Sequence, residues 1–107
     1  MILSTTDYLQ GENIQSYMGV VTAEVVYGSN ALRDFFAGIR DVLGGRTAAY
    51  ERVFEKGQKE ALKELETRAN RLGADAVIGI TVKTDTINID EHGVLMLITA
   101  TGTAVKL

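Results

Sequence analysis

Three adjacent residues, Asp90, Glu91 and His92, place two carboxylates and an imidazole in one short stretch of the chain. Carboxylate oxygens and imidazole nitrogens are ligands that Zn²⁺, Ni²⁺ and Cu²⁺ accept in proteins. Consecutive residues rarely converge on one ion, and Asp-Glu-His-Gly is also an ordinary turn sequence, which is the competing interpretation. A ring of several copies that gathers this turn around its symmetry axis would keep a site for a divalent metal ion open as the alternative.

A second candidate site is the sequence Gly44-Gly45-Arg46-Thr47. Two glycines before a helix leave backbone N–H groups accessible, and the guanidinium of Arg46 can fork a phosphate or a carboxylate. The stretch lacks the Lys-Ser/Thr ending of a P-loop and does not follow a strand. It therefore indicates an anion or small-molecule site. The alternative is a corner between two helices, in which Arg46 pairs with an aspartate of the preceding helix.

The residue types give catalysis little support. The chain has no cysteine, which excludes disulfides, thiolate metal sites and cysteine nucleophiles. The single histidine, His92, cannot complete a Ser-His-Asp constellation with residues that the sequence places near it. Asp75 has no adjacent His or Ser, so a turn or capping role fits it better than that of a general base. We therefore expect no enzymatic activity.

The distribution of charge limits the partners that the protein can have. The 11 Lys and Arg are scattered among 14 Asp and Glu, for a net charge of -3. No basic field is therefore available to attract nucleic acid or an anionic membrane. No stretch reaches the roughly 20 apolar residues of a transmembrane helix, and the N-terminus lacks the pattern of a signal peptide. We expect a cytoplasmic protein without nucleic-acid or membrane partners.

Glycines divide the chain into the elements that would position these sites, and proline is absent. Residues 14–27 are rich in Val and Tyr with polar residues between them, which predicts a strand. Residues 30–43 repeat apolar residues every three or four positions, which predicts an amphipathic helix that ends at the glycine pair. Thr47 can cap a second helix that continues to about Leu72, with Gly73 as its stop.

The last third of the chain predicts a long antiparallel hairpin. Residues 74–89 begin as an apolar run and later alternate, residues 90–93 are turn formers, and residues 94–107 return. Three strands and two helices in the order β-α-α-β-β predict a single α+β domain over residues 1–107, with both helices on one face of the sheet. One face of the returning strand consists of Val94, Met96, Ile98, Ala100, Gly102 and Ala104, and its small residues Ala100, Gly102 and Ala104 suit close packing under a helix.

A two-layer domain of this kind covers only one face of its sheet. Large aliphatic residues nevertheless occupy consecutive positions at Val77 and Ile78 and again over residues 94–98. An exposed apolar face marks an interface, and a closed ring of identical copies is the simplest way to bury it. We therefore predict a homo-oligomer in which Ile78 or Leu97 faces the partner. A monomer whose face is shielded by residues 1–13 is the alternative.

Four stretches carry a resemblance to a known family: YMGVVTAEVVYGSN, RDFFAGIRDVLGGRTAAYE, LGADAVIGI and TGTAVK. In these the chain resembles the YbjQ-like family of small bacterial proteins, grouped as heavy-metal-binding, over nearly its whole length. The resemblance implies a dodecin-like subunit in a homopentameric ring. It also implies a metal-binding protein, with a structural scaffold ring or a metal-free small-molecule binder as alternatives. A thiol near the first strand would suit heavy-metal binding, and this chain has Met18 there.

Overall fold

The structure is a computed structural model that describes residues 1–38, 45–89 and 93–107, and the side chains of residues 1–34, 50–88 and 93–107. Within these residues four strands and two helices form an α+β fold, which confirms the predicted class. The elements are β1 (Ile2–Leu3), β2 (Ser16–Tyr27), α1 (Ser29–Gly38), α2 (Gly45–Arg71), β3 (Ala76–Ile89) and β4 (Gly93–Lys106).

The long elements lie close to their predicted positions. β2 begins two residues later than predicted and ends at the predicted Tyr27. α1 begins at Ser29 and is described to Gly38, so its predicted end at residue 43 lies outside the described residues. α2 ends at Arg71, just before Gly73, which has a φ of 83° and therefore a conformation that glycine favours at a helix end.

The four strands form one mixed sheet in the order β1-β3-β4-β2. β3 and β4 pair as the predicted antiparallel hairpin, and β2 pairs antiparallel with the other edge of β4. β1 pairs parallel with β3 at only two positions, Ile2 with Ala76 and Leu3 with Val77. This strand was not predicted, because two residues are too short to show a periodicity.

α2 provides most of the helical layer. Its buried positions recur at exact four-residue spacing, which places them on one stripe of the helix surface, and they are Val53, Gly57, Ala61, Leu65 and Ala69. Three members of this stripe are Gly or Ala, so the helix lies close to the sheet. On β4, Met96, Ile98 and two of the residues predicted to pack under a helix, Ala100 and Ala104, are all buried and belong to the same apolar cluster.

A β-bulge determines where the apolar start of β3 is buried. The register with β4 shifts between Ile78 and Thr81, and Gly79 within the shift has a φ of 60°. A bulge places an extra residue in one strand and resets the alternation of its side chains. Val77 and Ile80 consequently pack in the cluster beneath the helices, whereas Ile78 points to the opposite face of the sheet.

The N-terminal segment covers one end of that opposite face. Ala76, Ile78 and Val105 form a second buried cluster there, packed against Leu9 and Ile14. Backbone bonds hold the segment in place: Gly79 N donates to Thr6 O at 2.8 Å, and Ile80 N donates to Ser4 O at 3.1 Å. Ile78 is only 4% exposed, so of the two alternatives predicted for the residue that faces a partner only Leu97 remains, and the shielding by residues 1–13 holds at this end.

Candidate functional site

Among the described residues, the sheet face away from the helices is left partly uncovered. Strand alternation places Leu95, Leu97, Thr99, Thr101 and Thr103 of β4 on this face, and all five are half-buried. The N-terminal segment covers only the end near Ile78. We call the uncovered remainder the open face.

The end of the open face nearest the hairpin turn is apolar. Val26 of β2 pairs with Leu97, and Ile87 of β3 pairs with Leu95, so the four side chains are neighbours across three strands. Val26 is 56% exposed and Ile87 is 46% exposed. We call these four residues the apolar end. A contiguous group of large apolar side chains in water is typical of a surface that binds a partner.

The middle of the open face is polar. Thr101 pairs with Thr22 on one side and Thr81 on the other, which makes a row of three hydroxyls across the sheet. The next row has Thr99 between Glu24 and Lys83. The open face is therefore not uniformly apolar.

The predicted metal-binding turn, residues 90–92, lies outside the described residues. At the start of α1, Ser29 Oγ donates to Val94 O at 3.1 Å and accepts from Val94 N at 2.8 Å. Among the residues that the structure does describe, no three His, Cys, Asp or Glu side chains lie together as metal ligands. The metal assignment of Asp90, Glu91 and His92 therefore remains a prediction.

The predicted anion site is only partly described. Gly45 is the first residue of α2, so the helix begins earlier than predicted, and Thr47 lies in its first turn and not at the predicted cap position. Gly44 lies outside the described residues, as do the side chains of Arg46 and Thr47. The anion site and the helix corner therefore both remain predictions from the sequence.

Asp75 has a structural role, although it is not the turn or capping role that the sequence favoured. Its Oδ2 accepts the backbone N–H of Leu107 at 2.9 Å, and its Oδ1 lies 3.4 Å from Nζ of Lys106. The backbone bond, followed by the neighbouring ammonium of Lys106, lowers the pKa of the Asp75 carboxyl below its ordinary value. Asp75 thus fastens the last residues of the chain to the start of β3.

Replacing Asp75 with alanine should reduce stability near neutral pH and weaken its dependence on acid. Because the pKa of Asp75 is lowered in the folded state, its contribution is present above the carboxyl pKa of the unfolded chain, about 3.9, and is lost as the pH falls through the folded pKa. Denaturant titrations between pH 7 and pH 2 would show a flatter acid limb in Asp75→Ala. Glu12→Ala, which removes another exposed carboxylate, is the control, and equal acid limbs in wild type and Asp75→Ala would contradict the assignment.

Arg68 is the most connected charged side chain among the described residues. Its Nε donates to Glu64 Oε1 at 3.1 Å, its Nη1 donates to the backbone O of Thr22 at 2.5 Å, and its Nη2 lies 3.6 Å from Glu24 Oε1. The hydrogen bond to Glu64 is the main cause that raises the pKa of the Arg68 guanidinium above its ordinary value. Sequence analysis did not single out Arg68, because only the fold brings it to the edge of β2.

A second tie between the layers lies nearer the apolar end. The hydroxyl of Tyr27 donates to Glu60 Oε2 at 2.8 Å. Burial, together with this hydrogen bond, raises the pKa of Tyr27 to about 12, so the hydroxyl keeps its proton and remains a donor. Glu60 also lies 3.9 Å from Lys56, one turn earlier on α2. Glu60 therefore accepts the hydrogen bond of Tyr27 and pairs with Lys56, and we infer that the contact between Tyr27 and Glu60 holds α2 against β2.

The whole chain matches one protein family. Residues 1–107 match the YbjQ family model, whose description is "Putative heavy-metal-binding". The chain belongs to the YbjQ family. A UPF0145 protein of Picosynechococcus is 73% identical to it over 107 residues, covering 100% of this chain and 99% of the relative. A UPF0145 protein of Nostoc punctiforme is 71% identical with the same coverage, and one of Synechococcus is 53% identical.

A solved structure supports the fold assigned to this YbjQ family member. A protein of the DUF74 family from Pediococcus pentosaceus superposes with a TM-score of 0.67 at 18% identity, covering 100% of this chain and 97% of that one. At this identity the likeness extends to the fold alone. In the part of the chain that the structure describes, no helix is both long and apolar enough to cross a membrane.

Proposed function

We propose that this protein is a homo-oligomeric binding protein, a pentameric ring whose assembly creates a site for a divalent metal ion. The observation that carries the proposal is the apolar end, where Val26, Ile87, Leu95 and Leu97 lie together on a face that a single chain does not cover. The cost of exposing such a surface is relieved when identical copies bury it in a closed assembly. The pentameric number is taken from the family resemblance.

The metal part of the proposal requires several copies of the chain. The described residues of one subunit lack a set of three ligands, and the chain contains neither a cysteine nor a second histidine. In the proposed ring, several copies of Asp90, Glu91 and His92 lie near one axis. The number of carboxylate and imidazole ligands available to one metal ion is then larger than in a single chain. Carboxylate and imidazole donors favour Zn²⁺ and similar divalent ions over the soft ions that thiolates capture. No catalytic step is part of the proposal.

Native mass spectrometry of the untagged protein, purified without chelator, tests both parts. We expect a species of five chains, each of 11.6 kDa, carrying a reproducible additional mass of metal. His92→Ala should lose the bound mass and keep the subunit number, whereas Asn88→Ala on the neighbouring strand should keep both. A bare pentamer in the wild type would favour the scaffold function instead, and a single-chain mass would refute the ring.

A charge at the apolar end should reduce the size of the assembly. Val26→Glu is suitable because Val26 is 56% exposed in one chain, so the fold of the subunit loses little packing. In the assembly, however, an unpaired carboxylate would be buried at a cost of several kcal/mol. We expect smaller species in the same native spectra. Gln58→Glu adds the same side chain to the exposed side of α2 and should keep the wild-type mass; a Val26→Glu variant of unchanged mass would place the interface elsewhere.

A further inference from the structure

The outer edge of β2 is a row of backbone groups that no strand of the described chain pairs with. β2 is the last strand in the sheet order, and it is 12 residues long. The carbonyl of Thr22 accepts Arg68 from outside the sheet and therefore points away from β4. Backbone groups alternate between the two edges of a strand, so those of Val20, Glu24 and Val26 point outward too. Such an edge is a template for strand addition.

Two features obstruct the first two thirds of this edge. The register with β4 shifts between Tyr17 and Gly19, where Gly19 has a φ of 120° and the strand bulges. A bulge bends the strand and interrupts regular pairing. Arg68 then occupies the outward carbonyl of Thr22 and extends to the carboxylate of Glu24, with Glu64 orienting its Nε. An added strand must displace this side chain before it can pass Thr22.

The unobstructed part of the edge, residues 24–27, coincides with the apolar end. Val26 is exposed there, and the opposite edge of the same sheet is also partly unpaired. β1 and its flanking residues bond β3 only as far as Ile80, so no described strand covers the outer edge of β3 beyond it. Val26 and Asp85 both pair with Leu97, which puts the two free edges at the same level.

We propose that Arg68 confines strand pairing between copies of this chain to residues 24–27 of β2, with the free edge of β3 from the next copy as the added strand. β2 and β3 both run antiparallel to β4, so this junction is parallel. At the level given by Leu97, it places the Val26 side chain beside that of Asp85 from the next copy and diagonally opposite that of Ile87, on one continuous face. The inference rests on the self-association proposed above and adds the residue that limits it.

Replacing Arg68 with alanine tests whether this residue confines strand pairing to residues 24–27 of β2. In Arg68→Ala the carbonyl of Thr22 is free, and pairing can extend along β2 by one or two further hydrogen bonds. We expect species larger than the wild-type assembly, with self-association about tenfold tighter. Hydrogen exchange should slow at the outward amides of Val20 and Thr22. Arg71→Ala removes the same charge one turn later on α2, where no contact with β2 is described, and should behave as wild type.

Arg68→Lys keeps the positive charge but cannot reach all three partners at once, so a smaller shift in the same direction is expected. If Arg68→Ala fails to fold, Arg68→Lys tests in its place whether Arg68 limits strand pairing. Wild-type masses and wild-type exchange at Val20 and Thr22 in both variants would overturn the role of Arg68. That result would not affect the proposed ring of the wild-type protein. A monomeric wild type whose Arg68→Ala variant associates would refute the ring but support the role of Arg68 in limiting strand pairing.

Discussion

Valine in place of Gly102 is expected to destabilise the fold by about 3 kcal/mol, an upper value for overpacking a core. Gly102 lies in the central strand β4, opposite the bulge in β3. A Cβ there would lie 2.5 Å from Cγ1 of Val77, 3.1 Å from the backbone O of Ile78 and 3.1 Å from Cγ1 of Ile80. The backbone oxygen cannot rotate away as a side chain can. The larger side chain must therefore push β3 off β4 or displace the bulge.

Denaturant unfolding at one fixed protein concentration measures the effect, because association changes the apparent stability. Gly28→Ala is the matched control: the nearest atom to a Cβ at that position is Leu95 Cδ2 at 3.8 Å, an ordinary contact, and a loss of stability below about 0.5 kcal/mol is expected. If Gly102→Val were as stable as this control, β3 and β4 would not approach as closely as the structure indicates.

The contact of α2 with the sheet gives the second large effect. A Cβ added at Gly57 would collide with Cδ1 of Ile98 and lie 3.1 Å from Cε2 of Tyr27. Gly57→Ala gains about 1 kcal/mol of helix propensity but overpacks the core by about 1–3 kcal/mol, so a net loss of about 1 kcal/mol is expected. Ile98→Val removes the obstructing Cδ1 and alone costs about 1 kcal/mol through the cavity that it leaves.

Together the two substitutions should cost less than the sum of their separate effects, by about 1–2 kcal/mol, because the new methyl group fills the space that Cδ1 vacates. Unfolding free energies of the four proteins in this cycle measure the coupling. Gln58→Ala combined with Ile98→Val serves as the control, since Gln58 is exposed on the same helix and should be additive within about 0.5 kcal/mol. Additivity of the Gly57 pair would show that α2 does not contact Ile98 at this position.

These tests concern the packing that presents the functional surfaces. α2 must lie close to the sheet for Arg68 to reach the carbonyl of Thr22 on the edge of β2. The bulge opposite Gly102 turns Ile78 toward the N-terminal segment, which covers one end of the open face and leaves the other apolar. The proposed interface is therefore a consequence of two close approaches that glycine permits.

The amino-acid sequence by itself determined the long elements, the hairpin and the alternation of side chains along β4, because periods of two and of three to four residues show directly in the apolar positions. It also limited the types of metal ligand that the protein can supply, since a chain without cysteine offers no thiolate. Only the tertiary structure decided that Ile78 is covered by Leu9 and Ile14, since a bulge changes which face a side chain occupies without changing the composition of the strand.

The tertiary structure alone also placed Arg68 on the edge of β2. Arg68 and Thr22 are 46 residues apart in the chain, and no local pattern relates them. From the sequence Arg68 is one member of a solvated helix face, with Glu64 as an ordinary neighbour one turn away. Its contact with a strand edge depends on the distance between the helical layer and the sheet, which packing sets and the sequence pattern does not.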